Sequence, residues 1–349
     1  MPPVAPPVAP MLAVLARELP AGAMSYEPKW DGFRCLAFAA PGAVDLRSRH
    51  DRPLARYFPE VVGGFEELLD ARGGRPVVLD GEIVLAAERP DFAALMARLH
   101  PAASRVRELS RSCPARYVAF DLLADGDEDL REQPFQWRRN RLEQVLAGAE
   151  ETIRLTPSTR DRDLASGWLD AAGSGIDGVV AKPDDVRYVA GRRALVKVKR
   201  LRTAECVVAG VRLTPTGDVA TLLLGLYDAS GDLRHVGVVT QLPRADRSAL
   251  AEDLRPLEIP LDAHPWRSGF TIGRSTLGRL PGSAARWTPD MAHDWVPLRP
   301  ERVAEVGFDQ VDGDRFRHPA RLLRWRPDRE ARSCTIDQVI AVPLGRVMP

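Results

Sequence analysis

Apolar and polar positions divide the chain into two textures. In the first, short apolar runs alternate with helical segments. Cys35-Leu36-Ala37-Phe38 reads as the start of a buried strand, and Val44-Asp45-Leu46-Arg47-Ser48-Arg49 alternates as a half-buried one. Arg56-Tyr57-Phe58-Pro59-Glu60 leads into a helix through Phe65, Leu68 and Leu69. Residues 77–85 form an apolar strand interrupted by Asp80-Gly81-Glu82. Asp91 is placed to cap a helix running to His100, and residues 117–123 are again an apolar strand. Residues 134–148 predict a helix with apolar positions Trp137, Leu142, Val145 and Leu146 and a basic face. Residues 161–173 predict another. Gly175-Ile176-Asp177-Gly178-Val179-Val180-Ala181-Lys182 reads as a turn and a buried strand, and a polar loop then reaches Leu195-Val196-Lys197-Val198-Lys199-Arg200.

From residue 204 strands dominate: 205–213, 219–227 and 233–240, with Asp228-Ala229-Ser230-Gly231-Asp232 as a hairpin turn. A helix over 244–255 and strand-like runs at 294–298 and 301–310 follow. This is the pattern of a small β-barrel with one inserted helix. The reading is therefore α+β with two domains, 1–200 and 201–349. The Pro-rich residues 1–10 are expected to be extended, either a frayed tail or a strap over the first domain.

Composition narrows the class. A chain of 349 residues with 45% apolar content suits two globular domains. The formal charge of +1 does not announce a nucleic-acid partner, so arginines would have to gather on one face to bind one. The four cysteines, Cys35, Cys113, Cys206 and Cys334, lack metal-ligand spacing, which argues against zinc and suits a reducing compartment. No run of about 20 apolar residues could span a bilayer, and no signal-like segment opens the chain. A cytoplasmic location is expected.

The candidate chemistry centres on Tyr26-Glu27-Pro28-Lys29-Trp30-Asp31-Gly32-Phe33-Arg34, which contains Lys-x-Asp-Gly-x-Arg. Asp-Gly signals a turn, placing Lys29 beside a strand. A free lysine has a pKa near ~10.4 and becomes a nucleophile only where cations or desolvation lower it. Lys197-Val198-Lys199 puts two ammonium groups on one strand face, which is unfavourable unless an anion lies between them. Two acids inside the apolar run at Asp80 and Glu82 are costly to bury unless paired.

The hexapeptide resembles motif I of the covalent nucleotidyltransferases, which comprise ATP-dependent DNA ligases, RNA ligases and capping enzymes. Other stretches resemble further motifs of that superfamily in its order. They are Asp80-Gly81-Glu82, Phe120 with Asp121, Asp177-Gly178-Val179-Val180-Ala181-Lys182, Lys197-Val198-Lys199, and Arg321-Leu322-Leu323-Arg324-Trp325-Arg326-Pro327-Asp328-Arg329. The wording is most similar to small stand-alone C-type bacterial ATP-dependent DNA ligases, relatives of the ligase module of ligase D. The resemblance implies an ATP-grasp-like adenylation domain with mostly antiparallel sheets, followed by an OB-fold barrel. It implies that Lys29 carries AMP and that Glu27 reads the adenine amino group. Arg34 would contact the ribose, Glu82 the ribose or metal, and Phe120 would stack on adenine. Lys197, Lys199, Arg324 and Arg326 would engage the phosphates, and Arg49, matching the family arginine on the strand after motif I, would bind the nucleotide. Glu82 and Asp177 would hold Mg²⁺ or Mn²⁺, with aspartate standing where the family usually has glutamate. Arg329 stands where the last motif usually has lysine. The implied substrates are ATP and nicked double-stranded DNA, the implied setting DNA repair, with repair proteins as candidate partners, no membrane, and a monomer. The alternatives are an RNA ligase, a capping-type nucleotidyltransferase, or a non-catalytic nucleic-acid-binding protein of ligase-like fold.

Overall fold

The structure, a computed structural model, describes residues 2–86, 92–149, 152–170, 175–199, 202–267 and 295–339. They fall into two compact units, one within residues 1–200 and one within 201–341.

The first unit holds β1 (Leu12–Ala16), β2 (Met24–Trp30), β3 (Phe33–Ala40), β4 (Ala43–Ser48), α1 (Pro59–Ala71), β5 (Val77–Leu85), α2 (Phe92–Ala97), α3 (Ala103–Ser112), β6 (Ala115–Asp125), β7 (Glu128–Asp129), α4 (Phe135–Val145), β8 (Ile153–Leu155), α5 (Arg162–Asp170), β9 (Ile176–Pro183) and β10 (Arg193–Val198). They build two sheets. One runs β1-β10-β9-β2; the other runs β4-β3-β5-β6-β7, with β8 beside β6. Pairing is antiparallel except for β1 with β10 and β6 with β8. The helix expected through Phe65, Leu68 and Leu69 is α1. It lays those side chains on the second sheet, where Phe65 meets Tyr117 edge-on at 5.0 Å. Truncating such a buried aromatic to alanine typically costs about 3–5 kcal/mol.

The Asp31-Gly32 turn passes the chain from the first sheet to the second, since β2 and β3 belong to different sheets. Gly32 is required by close approach: a Cβ there would lie 2.1 Å from the Ile83 carbonyl oxygen. The turn is thereby pressed onto β5 next to Glu82.

Several expectations change. The helix expected over 134–148 spans Phe135–Val145, but its basic face is not solvated. Arg138 and Arg139 are buried, Arg138 bidentate on Asp121 at 2.7 and 2.9 Å, while Trp137 is 42% exposed. Buried carboxylates on neighbouring elements draw the arginines inward, and that information lies outside the helix's own periodicity. The expected cap Asp91 lies outside the described residues, and the helix expected to His100 stops at Ala97, with α3 following as a separate element. Of 161–173, residues Arg162–Asp170 are helical and 171–174 lie outside the described residues. The N-terminal segment is not frayed: Val4 and Met11 are buried in a small core with Leu36, Val78 and Tyr188, and β1 pairs with β10.

The second unit contains β11 (Arg202–Leu213), β12 (Val219–Tyr227), β13 (Leu233–Val239), α6 (Arg247–Leu254), β14 (Val296–Phe308), β15 (Val311–Asp312), β16 (Arg315–Phe316) and β17 (Arg321–Trp325). Five strands form an antiparallel sheet in the order β13-β12-β11-β14-β17. A bridge from Val239 to Ala320 brings the two edges together, with the Ala320 N–H donating to the Val238 carbonyl at 2.8 Å, so the sheet curls toward a barrel of OB type. The two runs expected at 294–298 and 301–310 are one long strand, β14; Asp294 lies outside the described residues. The α+β class with mostly antiparallel sheets is as expected.

Candidate active site

Lys29 is the penultimate residue of β2. The register of β2 on β9 slips there: Pro28 faces Val179 and Trp30 faces Ile176, so Asp177 and Gly178 together oppose Lys29. Such a bulge re-aims side chains. Gly178 makes it possible, with φ +131° and a Cβ position only 2.1 Å from the Val198 carbonyl oxygen. The result puts Asp177 Oδ2 2.5 Å from Lys29 Nζ and 2.7 Å from Lys199 Nζ. One buried carboxylate thus gathers two of the expected lysines.

Lys197 lies one strand further in, its Cα paired with Val180. Its pKa is lowered from the ordinary lysine value, first by burial and then by Lys29 and Lys199, with Asp177 opposing. Arg49 follows β4 and is exposed. It acts on Lys197 in the same sense. The cations therefore converge on one side of a cleft of about 260 Å³ whose lining includes Lys29, Lys197, Arg49, Arg34, Glu82 and Phe120. A polyanion there would relieve their mutual repulsion.

Glu82 extends from β5, and its Cα pairs with Arg34. Burial pushes its carboxyl up to about 7, against the pull of Arg34 and Lys29 and with help from Asp31 and Asp80. No ion pair joins it to another described residue. Its hard oxygens suit a divalent cation, whose charge would offset that burial. Asp177 differs, being already balanced by two ammonium groups.

Glu27 and Phe120 occupy more complicated positions than expected. Glu27 is 2% exposed and ion-paired with Lys182 at 2.7 Å and Arg139 at 3.3 Å; burial pushes its carboxyl up against both. Lys182 also donates to the Phe120 carbonyl at 2.6 Å. The Phe120 ring has the Arg34 guanidinium 4.4 Å from its centroid and Lys182 Nζ at 4.9 Å. Arg34 itself is bidentate on Asp80, at 2.6 Å for both bonds.

Arg324 and Arg326 belong to the second unit. Arg324 pairs with Glu305 at 2.7 Å, and Arg326 with Asp328 at 2.8 Å and with Glu205. Sequence reasoning missed Met11, Tyr188 and Arg193, and gave no role to Lys182 although it ends the Asp177–Lys182 motif; all four line the cleft. Asp80 was readable in part, because alternation along β5 puts it on the same face as Glu82.

Residues 3–199 match the family described as ATP dependent DNA ligase domain, and residues 215–329 match ATP dependent DNA ligase C terminal region. The chain belongs to the ATP-dependent DNA ligases. It is 49% identical to DNA ligase C2 of Mycolicibacterium smegmatis, covering 98% of this chain and 96% of that protein. It is 44% identical to DNA ligase C of Mycobacterium tuberculosis, covering 99% and 98%. To the multifunctional non-homologous end joining DNA repair protein LigD of Mycobacterium tuberculosis it is 32% identical over 84% of this chain and 39% of that one. A solved Lig E DNA ligase shares its fold at TM-score 0.51 and 17% identity, covering 90% of this chain and 99% of that one. This ligase therefore uses ATP and acts on nucleic acid. No helix among the described residues is long and apolar enough to cross a membrane.

Proposed function

We propose that this DNA ligase seals 5′-phosphate/3′-hydroxyl nicks in duplex DNA through an AMP carried on Lys29. The observation that carries the reading is the placement of Lys29 at the cleft, beside Asp177, Lys199 and Lys197. The Lys29 ammonium gives up a proton, and the amine attacks the α-phosphorus of ATP, forming a P–N bond, losing a second proton and expelling pyrophosphate. A 5′-phosphate oxygen of the nick then displaces Lys29 and takes AMP. The 3′-hydroxyl finally attacks that 5′-phosphorus, loses its proton and releases AMP.

The lysine cluster and Arg49 neutralise phosphate charge as it shifts toward the leaving group, which is electrostatic stabilisation by preplaced cations. Asp177 holds Lys29 and Lys199 in register for this. Phe120 offers the base a ring face. Glu27, locked by Lys182 and Arg139, fixes the floor beneath it and is the candidate reader of the adenine amino group. Arg34 borders the ribose. Glu82 and Asp177 are the residues that would hold Mg²⁺ or Mn²⁺, and the ion, when bound, would supply Lewis-acid polarisation of phosphate oxygens. Arg324 and Arg326 serve the triphosphate in the first step. The first unit is the adenylation domain and the second an OB domain that contacts DNA. The protein works as a monomer in cytoplasmic DNA repair, a setting supported by its likeness to LigD.

The test is incubation with ATP labelled on the α-phosphate, with GTP and NAD in parallel, then a chase with nicked DNA. Label from ATP alone, discharged by the nick with sealing and absent from Lys29→Ala, is expected. Label retained on Lys29→Ala would overturn the assignment.

A further inference from the structure

Part of the cleft wall comes from groups given no role above. Pro10, Met11, Leu12 and Ala13 line it, together with Tyr188. Four hydrogen-bonding groups form a closed ring there. Arg34 donates two bonds to Asp80 at 2.6 Å, and the Tyr188 hydroxyl donates to Asp80 Oδ2 at 2.6 Å. The Met11 N–H donates to the Tyr188 oxygen at 3.2 Å, and Arg34 Nη2 reaches the Met11 carbonyl at 3.4 Å. Asp80 is 0%, Met11 1% and Tyr188 4% exposed.

We propose that Asp80 and Tyr188 are positioning residues that hold Arg34 against the Phe120 ring and lock residues 10–13 into the wall of the ATP cleft. The strap is thereby part of the nucleotide-binding surface; this rests on the cleft being the ATP site.

A bidentate carboxylate fixes a guanidinium plane in a way that one bond cannot. Asp80 is the side chain of the ring that touches both Arg34 and Tyr188, with shorter bonds than the Met11 backbone makes to the same two residues. The Tyr188 hydroxyl is the shorter of two links from that carboxylate to the strap backbone, accepting from Met11 at 3.2 Å while donating to Asp80; the other runs through Arg34 to the Met11 carbonyl at 3.4 Å. Burial and Asp80 push the phenol well above its ordinary pKa, so it stays protonated as the donor. The strap is also tied to the phosphate side: β1 pairs with β10, and Leu15 stands opposite Lys197. A displaced strap would therefore be felt at both ends of the cleft.

Tyr188→Phe keeps the ring and removes only the link. Self-adenylation is measured against ATP concentration, and hydrogen exchange of residues 10–16 is measured without nucleotide. The expected result is a KM for ATP raised about tenfold, as for loss of a hydrogen bond to a charged group. The maximal rate should stay within about twofold, as when binding is lost uniformly, while strap exchange accelerates. Asp80→Asn should lose more, including maximal rate, because Arg34 is released. Faster exchange with unchanged KM would show a structural anchor outside the ATP surface and overturn the proposal. Unchanged exchange would overturn the link itself. A wild-type protein that takes no label from ATP would instead defeat the adenylation reading, and the exchange data would still decide whether Tyr188 locks the strap.

Discussion

Glu82 allows a prediction whose sign runs opposite to the usual effect of removing a polar side chain. Its carboxyl is held up at about 7 rather than 4.5, chiefly by burial. At about 1.4 kcal/mol for each pKa unit, the ionised form is disfavoured in the folded protein by about 3 kcal/mol. Between those two pKa values the folded chain keeps a proton that the unfolded chain has released, so stability falls as pH rises through that window. At pH 8 the whole effect is present; at pH 5 only about 1 kcal/mol or less remains. Glu82→Gln removes the ionisable group and keeps its shape. Thermal unfolding of wild type and variant, without nucleotide or divalent cation, should show the variant more stable at pH 8 by roughly 5 °C or more, given about 2–4 °C per kcal/mol for a domain this size. The gap should close for the most part at pH 5. Added Mg²⁺ should narrow it at pH 8 by stabilising the wild type preferentially. An equal shift at both pH values, or a less stable variant at pH 8, would refute the reasoning. The same substitution should impair adenylation, so stability and activity would move in opposite directions.

Gly178→Ala should cost stability, about 1–3 kcal/mol for the backbone conformation alone with the Val198 carbonyl contact in addition; it should also slow adenylation by moving Asp177 away from Lys29, checked by denaturant melts and single-turnover labelling. Arg138→Met should destabilise the first unit by about 3–5 kcal/mol, because Asp121 is left buried without its partner; a neutral melt would contradict this. Affinity for a nicked duplex should fall steeply and log-linearly with salt, as expected of phosphate-dominated contacts; binding indifferent to salt between about 50 and 200 mM would argue against that footprint.

What the chain determined by itself is visible in β2, β5, β9 and β10. Their apolar runs are local, so periodicity placed the strands and turns, and resemblance to the superfamily's short motifs singled out Lys29, Glu82, Asp177 and Lys197 on them before any contact was known. The family and the mostly antiparallel α+β class were legible through that resemblance, because its motifs are short and local. Tertiary structure decided what pairs with what. The basic face expected on α4 became two buried arginines, because their carboxylate partners, Asp121 and Glu27, come from other strands. The bulge opposite Lys29 depends on the register of β2 against β9, which no single segment encodes. The Pro-rich start could be read as tail or strap, and only the buried side chains of Val4 and Met11 and the bonds of Met11 to Tyr188 and Arg34 distinguish the two. Local sequence sets which residues are extended and which side chains share a face. Burial of charge is settled only when distant strands bring the opposite charge within reach.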